Sequence, residues 1–310
     1  NRLTHSLEVA SVGMSLGNDV ARDVIRRHPE LAGTLIEEIG TVVATACLAH
    51  DMGNPPFGHS GEKALQTFFT EGKGAALKPL LNRDFWDDIT HFEGNANAFR
   101  LLTHRFCGRR KGGFVMTYTM LASIVKYPFA SSCAGSHGKF GFFCTEKEFF
   151  RRVAEELGMK RLSDDGEPLR YARHPLVYLV EAADDICYEI MDIEDAHKLK
   201  ILSFEETKNL LLGFFEDDVK ASILKRIQDE ELTDDNEQVV YMRACVIGKL
   251  ENVCAEDFLK HEQEILDGTF EGELIDHVNE RERLAYQRCT ETAYAKIYRS
   301  KPVLDIELAG

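Results

Sequence analysis

Prolines are scarce in this sequence, 8 in 310 residues, and the 23 glycines gather in no linker. With so little turn punctuation, a fold of many short strands and tight hairpins is excluded, and long uninterrupted elements are expected. No low-complexity segment and no internal repeat occurs, so neither a disordered tail nor a solenoid is in view. No apolar run reaches the about 18 residues that a membrane-spanning helix needs. The eight cysteines include no C-x-x-C pair, which removes zinc ribbons and disulfide frames; several sit in apolar runs, such as Ala46-Cys47-Leu48 and Ile186-Cys187-Tyr188. They are expected to be reduced, mostly buried thiols in a cytoplasmic protein. A basic excess is missing too, since 37 Lys and Arg face 52 Asp and Glu for a net charge of −15. Broad electrostatic attraction to nucleic acid is thereby disfavoured. One local basic cluster, Arg105, Arg109, Arg110 and Lys111 ahead of Gly112-Gly113, reads as an exposed loop. The opening Asn1-Arg2-Leu3-Thr4-His5 carries neither an initiator Met nor a signal pattern, and Leu308-Ala309-Gly310 stops in mid-pattern. The chain is therefore expected to be a piece of a longer protein.

What is present is helical periodicity. From Leu35 to His50 the apolar positions almost encircle the axis, which predicts a deeply buried helix ending at Gly53-Asn54-Pro55-Pro56. From Leu176 to Asp195, Leu179, Ala182, Ile186, Ile190 and Ile193 share one stripe, while Asp184, Tyr188 and Asp192 project from nearly the opposite side. Helical spacing recurs over 204–231, 236–267 and 273–298, and the glycine-bearing stretch 131–143 reads as a loop or short hairpin. The fold class expected is all-α.

The most specific chemical feature is the set His5, His50-Asp51 and Asp184. Imidazole nitrogens with carboxylate oxygens suit a borderline-hard divalent ion, Mn or Mg foremost, with Fe, Ni and Zn also compatible. Each donor comes from a separate predicted helix. An apolar helix that delivers His-Asp into a Gly-Asn-Pro-Pro break would bury ionisable groups at high cost without a partner or metal.

The H…HD…D pattern resembles the HD superfamily of phosphohydrolases. Four strings narrow the resemblance: Arg2-Leu3-Thr4-His5-Ser6-Leu7-Glu8-Val9-Ala10; Ala49-His50-Asp51-Met52-Gly53-Asn54-Pro55-Pro56-Phe57-Gly58-His59-Ser60-Gly61-Glu62; His91-Phe92-Glu93-Gly94-Asn95-Ala96; and the stretch from His174-Pro175-Leu176 to Tyr188. In order and spacing they are similar to the bacterial deoxyguanosinetriphosphate triphosphohydrolases. The likeness is strong through about residue 200 and weaker to Asp305-Ile306-Glu307-Leu308-Ala309-Gly310. It implies an HD-type helical core over 1–200, a helical extension over 201–310 packed on it, and hydrolysis of dGTP, or other dNTPs, to deoxynucleoside and triphosphate. It also implies one divalent ion per site and a homo-oligomer, often a hexamer, with nucleotide or single-stranded DNA as effectors in some members.

Adjacent Asp184 and Asp185 compete for the last ligand position. The family pattern places the metal on the first, and the helical wheel agrees, since Asp184 lies farther from the edge of the apolar stripe. His59 and Glu62, three residues apart on a new helical turn, face the same way and form a candidate proton-transfer dyad; the resemblance implies the same pair. By resemblance Arg2, His91 and Lys126 contact the phosphates, and Tyr188 and Asp192 the sugar, with the tyrosine ring leaving no room for a 2′-hydroxyl. Two alternatives stand beside this: a phosphodiesterase or nucleotidase of the same superfamily, and a regulator that binds nucleotide without turnover.

Overall fold

The structure, a computed structural model, describes residues 2–108, 113–135, 138–299 and 305, and of Arg2 the backbone alone. Among the described residues regular structure is helical throughout, broken only by isolated bridges such as Phe129 with Arg170 and Ala130 with Phe142. The all-α class holds. The stretch 131–143 carries a short 3-10 turn, Ser131–Cys133, and those bridges, with Ser136 and His137 outside the described residues.

In chain order the helices are α1 (Arg2–Arg27), α2 (Ile39–Ala49), α3 (Gly58–Thr70), α4 (Arg83–Thr90), α5 (Gly94–Thr103), α6 (Tyr118–Ile124) and α7 (Lys147–Glu156). They continue with α8 (Pro175–Lys198), α9 (Phe204–Leu212), α10 (Asp217–Asp229), α11 (Asp235–Lys260), α12 (Glu262–Leu266), α13 (Leu274–His277) and α14 (Glu280–Ala293). One turn of π-helix, Tyr294–Tyr298, follows.

Four predicted spans need correction. The span 236–267 divides at His261 into α11 and α12, and 273–298 divides at Val278-Asn279 into α13 and α14. The helix expected from Leu35 begins only at Ile39, because residues 35–38 form a 3-10 turn capped by the Thr34 side chain and Leu35 is 85% exposed. Its buried face is Val43, Ala46 and Cys47, while Leu48 turns outward. The span 204–231 is likewise two helices, since Phe214 and Phe215 leave the helical path to enter the core.

The site is set by how closely α1, α2 and α8 approach. A Cβ on Gly17 would lie 2.7 Å from the Cα of Gly40, and one on Gly13 would lie 2.6 Å from Cys47 Sγ. Glycine alone permits this backbone contact between α1 and α2, which fixes His5 relative to His50. The stripe of α8 behaves as its period demands: Leu179, Ala182, Ile186, Ile190 and Ile193 are all buried. Each of the four large residues contributes about 1.5–3 kcal/mol by leaving water. Pro175 occupies the first turn, and the His174 ring Nδ1 accepts from the Leu176 amide at 3.2 Å. Burial alone lowers the pKa of that imidazole to about 4, which keeps it neutral and able to accept. One hydrophobic cluster runs from Val9 to Cys289, so the helices beyond residue 200 share a core with those before it.

Candidate metal centre

His5 stands on the second turn of α1, His50 just past the end of α2, and Asp184 on the polar face of α8. Their donor atoms converge: one from each lies within 4.8 Å of the other two. His5 Nε2 is 3.0 Å and His50 Nε2 3.4 Å from the same oxygen, Asp184 Oδ1. Asp51 Oδ1 lies 3.5 Å from His50 Nε2 and accepts a 2.6 Å hydrogen bond from the side-chain Nδ2 of Asn54. Three of the four residues singled out in the sequence, His5, His50 and Asp184, thus surround one point, and Asp51 reaches it only through its approach to His50.

The tautomer of His50 follows from its partner. Nδ1 lies 2.6 Å from the Cys47 carbonyl, which can only accept, so Nδ1 carries the proton and Nε2 the lone pair. That Nε2 is buried and has no hydrogen-bond partner. A buried acceptor left so costs free energy unless a proton or a cation fills the place. Burial works against a charged His50, but the Asp184 carboxylate, then Asp51 and the Cys47 carbonyl, outweigh it and push its pKa up to about 9. Partial burial raises the proton affinity of Asp184, yet His5 and His50 overcome this and hold its carboxyl well below the usual range. A donor set that traps a proton so firmly at neutral pH is one that a divalent cation can occupy instead. Two imidazoles and the Asp184 carboxylate fit such an ion, and the outward-facing side of Asp184, 38% exposed, leaves room for further ligands.

Asp185 is turned away from the cluster. It is pushed well above the usual carboxylate range by burial and by the charges of Glu273 and Glu181.

The turn that carries His50-Asp51 is locked against α5. A Cβ on Gly53 would overlap Gly94 O at 2.0 Å and Ala98 N at 2.1 Å, and one on Gly94 would meet Asn54 Oδ1 at 2.2 Å. Asn97 Nδ2 adds a 2.8 Å hydrogen bond to the Gly53 carbonyl. The strings around Gly53 and Gly94 are thus two halves of one contact. Phe57, in the left-handed region at φ 66°, then swings the chain into α3.

The remaining predicted residues divide. Glu62 and His59 are not brought together: no hydrogen bond or ion pair joins them among the described residues. His59 is exposed on the first turn of α3. Glu62 is buried; its Oε1 accepts from the Gly94 amide at 2.7 Å and its Oε2 lies 3.6 Å from Lys139 Nζ. His91 ends α4, half-buried, with Nδ1 donating to the Asp87 carbonyl at 2.9 Å, which leaves Nε2 as its second nitrogen. Lys126 is paired with buried Glu181 at 2.6 Å and with Glu273 at 3.2 Å. Glu181 also takes Arg173 at 3.0 Å. The side chain of Arg2 lies outside the described residues, as do Arg109, Arg110 and Lys111.

Tyr188 and Asp192 share the face of α8 that bears Asp184, Tyr188 being 47% exposed. A residue that the sequence reading did not single out joins them: Tyr298, at the end of the π-turn, stacks on Tyr188 with ring planes 9° apart and donates its hydroxyl to Asp192. Lys139 and Glu93, paired at 2.6 Å and supporting Glu62, were also outside that reading. Glu93 sits in a string the sequence analysis quoted, so a signal for it existed; Tyr298, more than 100 residues from Asp192, has no local one.

Comparison with known proteins places these features. The HD domain family matches residues 2–90. A deoxyguanosinetriphosphate triphosphohydrolase-like protein of Pseudomonas aeruginosa is 38% identical over 304 residues, covering 97% of this chain and 67% of that one. One of Synechocystis sp. is 38% identical over 296 residues, covering 89% and 62%. A deoxyguanosinetriphosphate triphosphohydrolase of Yersinia enterocolitica is 28% identical over 357 residues, covering 100% and 67%.

Proposed function

The chain belongs to the deoxyguanosinetriphosphate triphosphohydrolase-like family of HD-domain proteins, and from that premise we propose that it hydrolyses deoxynucleoside triphosphates, dGTP first among them, to deoxynucleoside and inorganic triphosphate. The observation that carries this is the meeting of His5, His50, Asp51 and Asp184 around a buried imidazole nitrogen without a hydrogen-bond partner. These four would hold one divalent ion, Mn or Mg foremost. When bound, such an ion polarises the α-phosphoryl oxygen and lowers the pKa of a bound water.

In the reaction a water oxygen bonds to the α-phosphorus, the bond from that phosphorus to the 5′-oxygen breaks, and the 5′-oxygen leaves with a proton. His59, exposed beside the His50-Asp51 turn, is the proposed group that delivers this proton. Glu62, tied to the Gly94 amide, is a positioning residue that seats α3 on α5 and so places His59. His91, its ring fixed through Nδ1, offers Nε2 to the phosphates, and Arg2 at the start of α1 is proposed as a further cation there. The two carboxylates on Lys126 favour a structural ion pair for that residue over a phosphate contact. The sugar is proposed to stand on Tyr188 with its 3′-hydroxyl on Asp192, where the Tyr298 hydroxyl now bonds.

The test is a panel of the four dNTPs and GTP with Mn and with Mg, assayed for triphosphate and deoxynucleoside. Triphosphate release from dGTP that disappears in His50→Ala supports the assignment. No triphosphate from any of the five, with turnover of a cyclic dinucleotide or a nucleoside 5′-monophosphate instead, or binding without turnover, would transfer the chain to the alternative classes.

A further inference from the structure

A second cluster of metal-type donors lies far along the chain from the first. Asp257 and His261 are one turn apart near the end of α11, and His277 ends α13. One donor atom of each falls within 4.8 Å of the other two. His261 Nε2 is 3.6 Å from Asp257 Oδ1, near the about 3.4 Å that separates two ligands of a tetrahedral ion with bonds of 2.0–2.1 Å.

The carboxylate of this cluster is poorly matched without a cation. Asp257 is 95% buried, and its Oδ2 has no hydrogen-bond partner. An ionised carboxylate shut away with one oxygen unmatched is expensive to keep. Around the cluster the imidazoles are already oriented. His277 Nε2 donates to the Glu271 carbonyl at 3.0 Å, which leaves the lone pair on Nδ1. Glu264 Oε2 stands 3.4 Å from His261 Nδ1, the place of a carboxylate that backs a metal-bound imidazole through its other nitrogen. The ring of Phe270 packs against both histidines, with centroids 5.2 and 4.7 Å away, and supplies a dry wall.

We propose that Asp257, His261 and His277 form a second site for a divalent transition-metal ion of the zinc class, with a water as its fourth ligand. Two imidazoles and one carboxylate are a donor set such ions accept. The ion would clamp the 261–277 segment onto α11. That segment begins α13 with Glu273, which pairs with Lys126 and, through it, with Glu181, one turn ahead of Asp184 on α8. The site is thus a staple on the frame that holds α8, and its existence does not depend on the reaction proposed above.

The experiment uses the full chain carrying His5→Ala and His50→Gln, so that the first cluster has lost both imidazoles. Zinc titrated calorimetrically should bind at one equivalent per chain and raise the melting temperature. Adding His277→Ala, an exposed position, or His261→Gln should weaken binding by more than the roughly 10–100-fold typical of losing an outer-shell partner. Zinc-edge X-ray absorption on the loaded parent counts its imidazoles with no further variant, and two are expected. No heat and no thermal shift in the parent overturns the site, as does a loaded ion with fewer than two imidazoles or undiminished affinity in both ligand variants.

Discussion

Replacing Glu62 by Ala separates two roles that the sequence could not distinguish. As half of a dyad with His59, Glu62 would matter to turnover and little to folding. In the structure its carboxylate is instead buried, 2.7 Å from the Gly94 amide and 3.6 Å from Lys139. Removing it leaves the Gly94 N–H without an acceptor in a buried place, at a cost of about 1–3 kcal/mol. Lys139 is not orphaned, because Glu93 holds it at 2.6 Å, so the lysine adds little. A destabilisation of about 2 kcal/mol is expected for Glu62→Ala. It should be about half that for Glu62→Gln, whose carbonyl oxygen can still accept. In urea, with a slope of about 3 kcal/mol/M, the Ala variant should unfold about 0.7 M earlier. Amide exchange at Gly94 should accelerate with it. His59→Ala, at an exposed position, should stay within about 0.5 kcal/mol of the parent while turnover falls by two orders of magnitude or more. A Glu62→Ala protein as stable as the parent, with Gly94 still protected, would refute the clamp and return Glu62 to the dyad.

Lys126→Met should cost about 1–3 kcal/mol, since it leaves Glu181 buried with Arg173 alone; a raised KM for dNTP at unchanged stability would show a phosphate contact instead. Gly53→Ala drives a Cβ onto the backbone of Gly94 and Ala98, so about 3 kcal/mol or more of stability should be lost, measured by thermal unfolding; a normal melting temperature contradicts the close approach. Tyr298→Phe deletes the hydroxyl that bonds Asp192, and if the 3′-hydroxyl takes the same oxygen, KM for dGTP should fall severalfold at constant kcat. An unmoved KM removes that competition. Tyr188→Ala should relax discrimination against GTP, read as the ratio of kcat/KM for dGTP and GTP.

What could be read in the sequence depends on how local each determinant is. The α8 stripe was legible because burial of Leu179, Ala182, Ile186, Ile190 and Ile193 repeats at the helical period, and the same period put Asp184, Tyr188 and Asp192 on the far side. The extent of α2 was not, because periodicity counts Leu35 as apolar and says nothing of its being 85% exposed. Helix existence is written in side-chain spacing, whereas helix start depends on Thr34 capping a 3-10 turn and on where Gly40 meets Gly17.

The site divides on the same line. His5 and Asp184 belong to helices in contact, and His50 to the turn that ends a third. Gly13 of α1 faces Ala183, the neighbour of Asp184, so the side of α8 away from the Leu/Ile stripe is the one that brings its ligand to the point. Once α1, α2 and α8 pack through Gly13, Gly17 and Gly40, convergence has little freedom left. Glu62 differs because spacing three residues from His59 says which way it points, not what stands there. Its partner is fixed by α5, where Gly94 presents an amide that a Cβ-bearing residue could not bring so near. A helical wheel can therefore nominate two side chains for one face, but which of them meet is decided by the element opposite. Here that element claims the carboxylate for the fold and leaves the imidazole exposed.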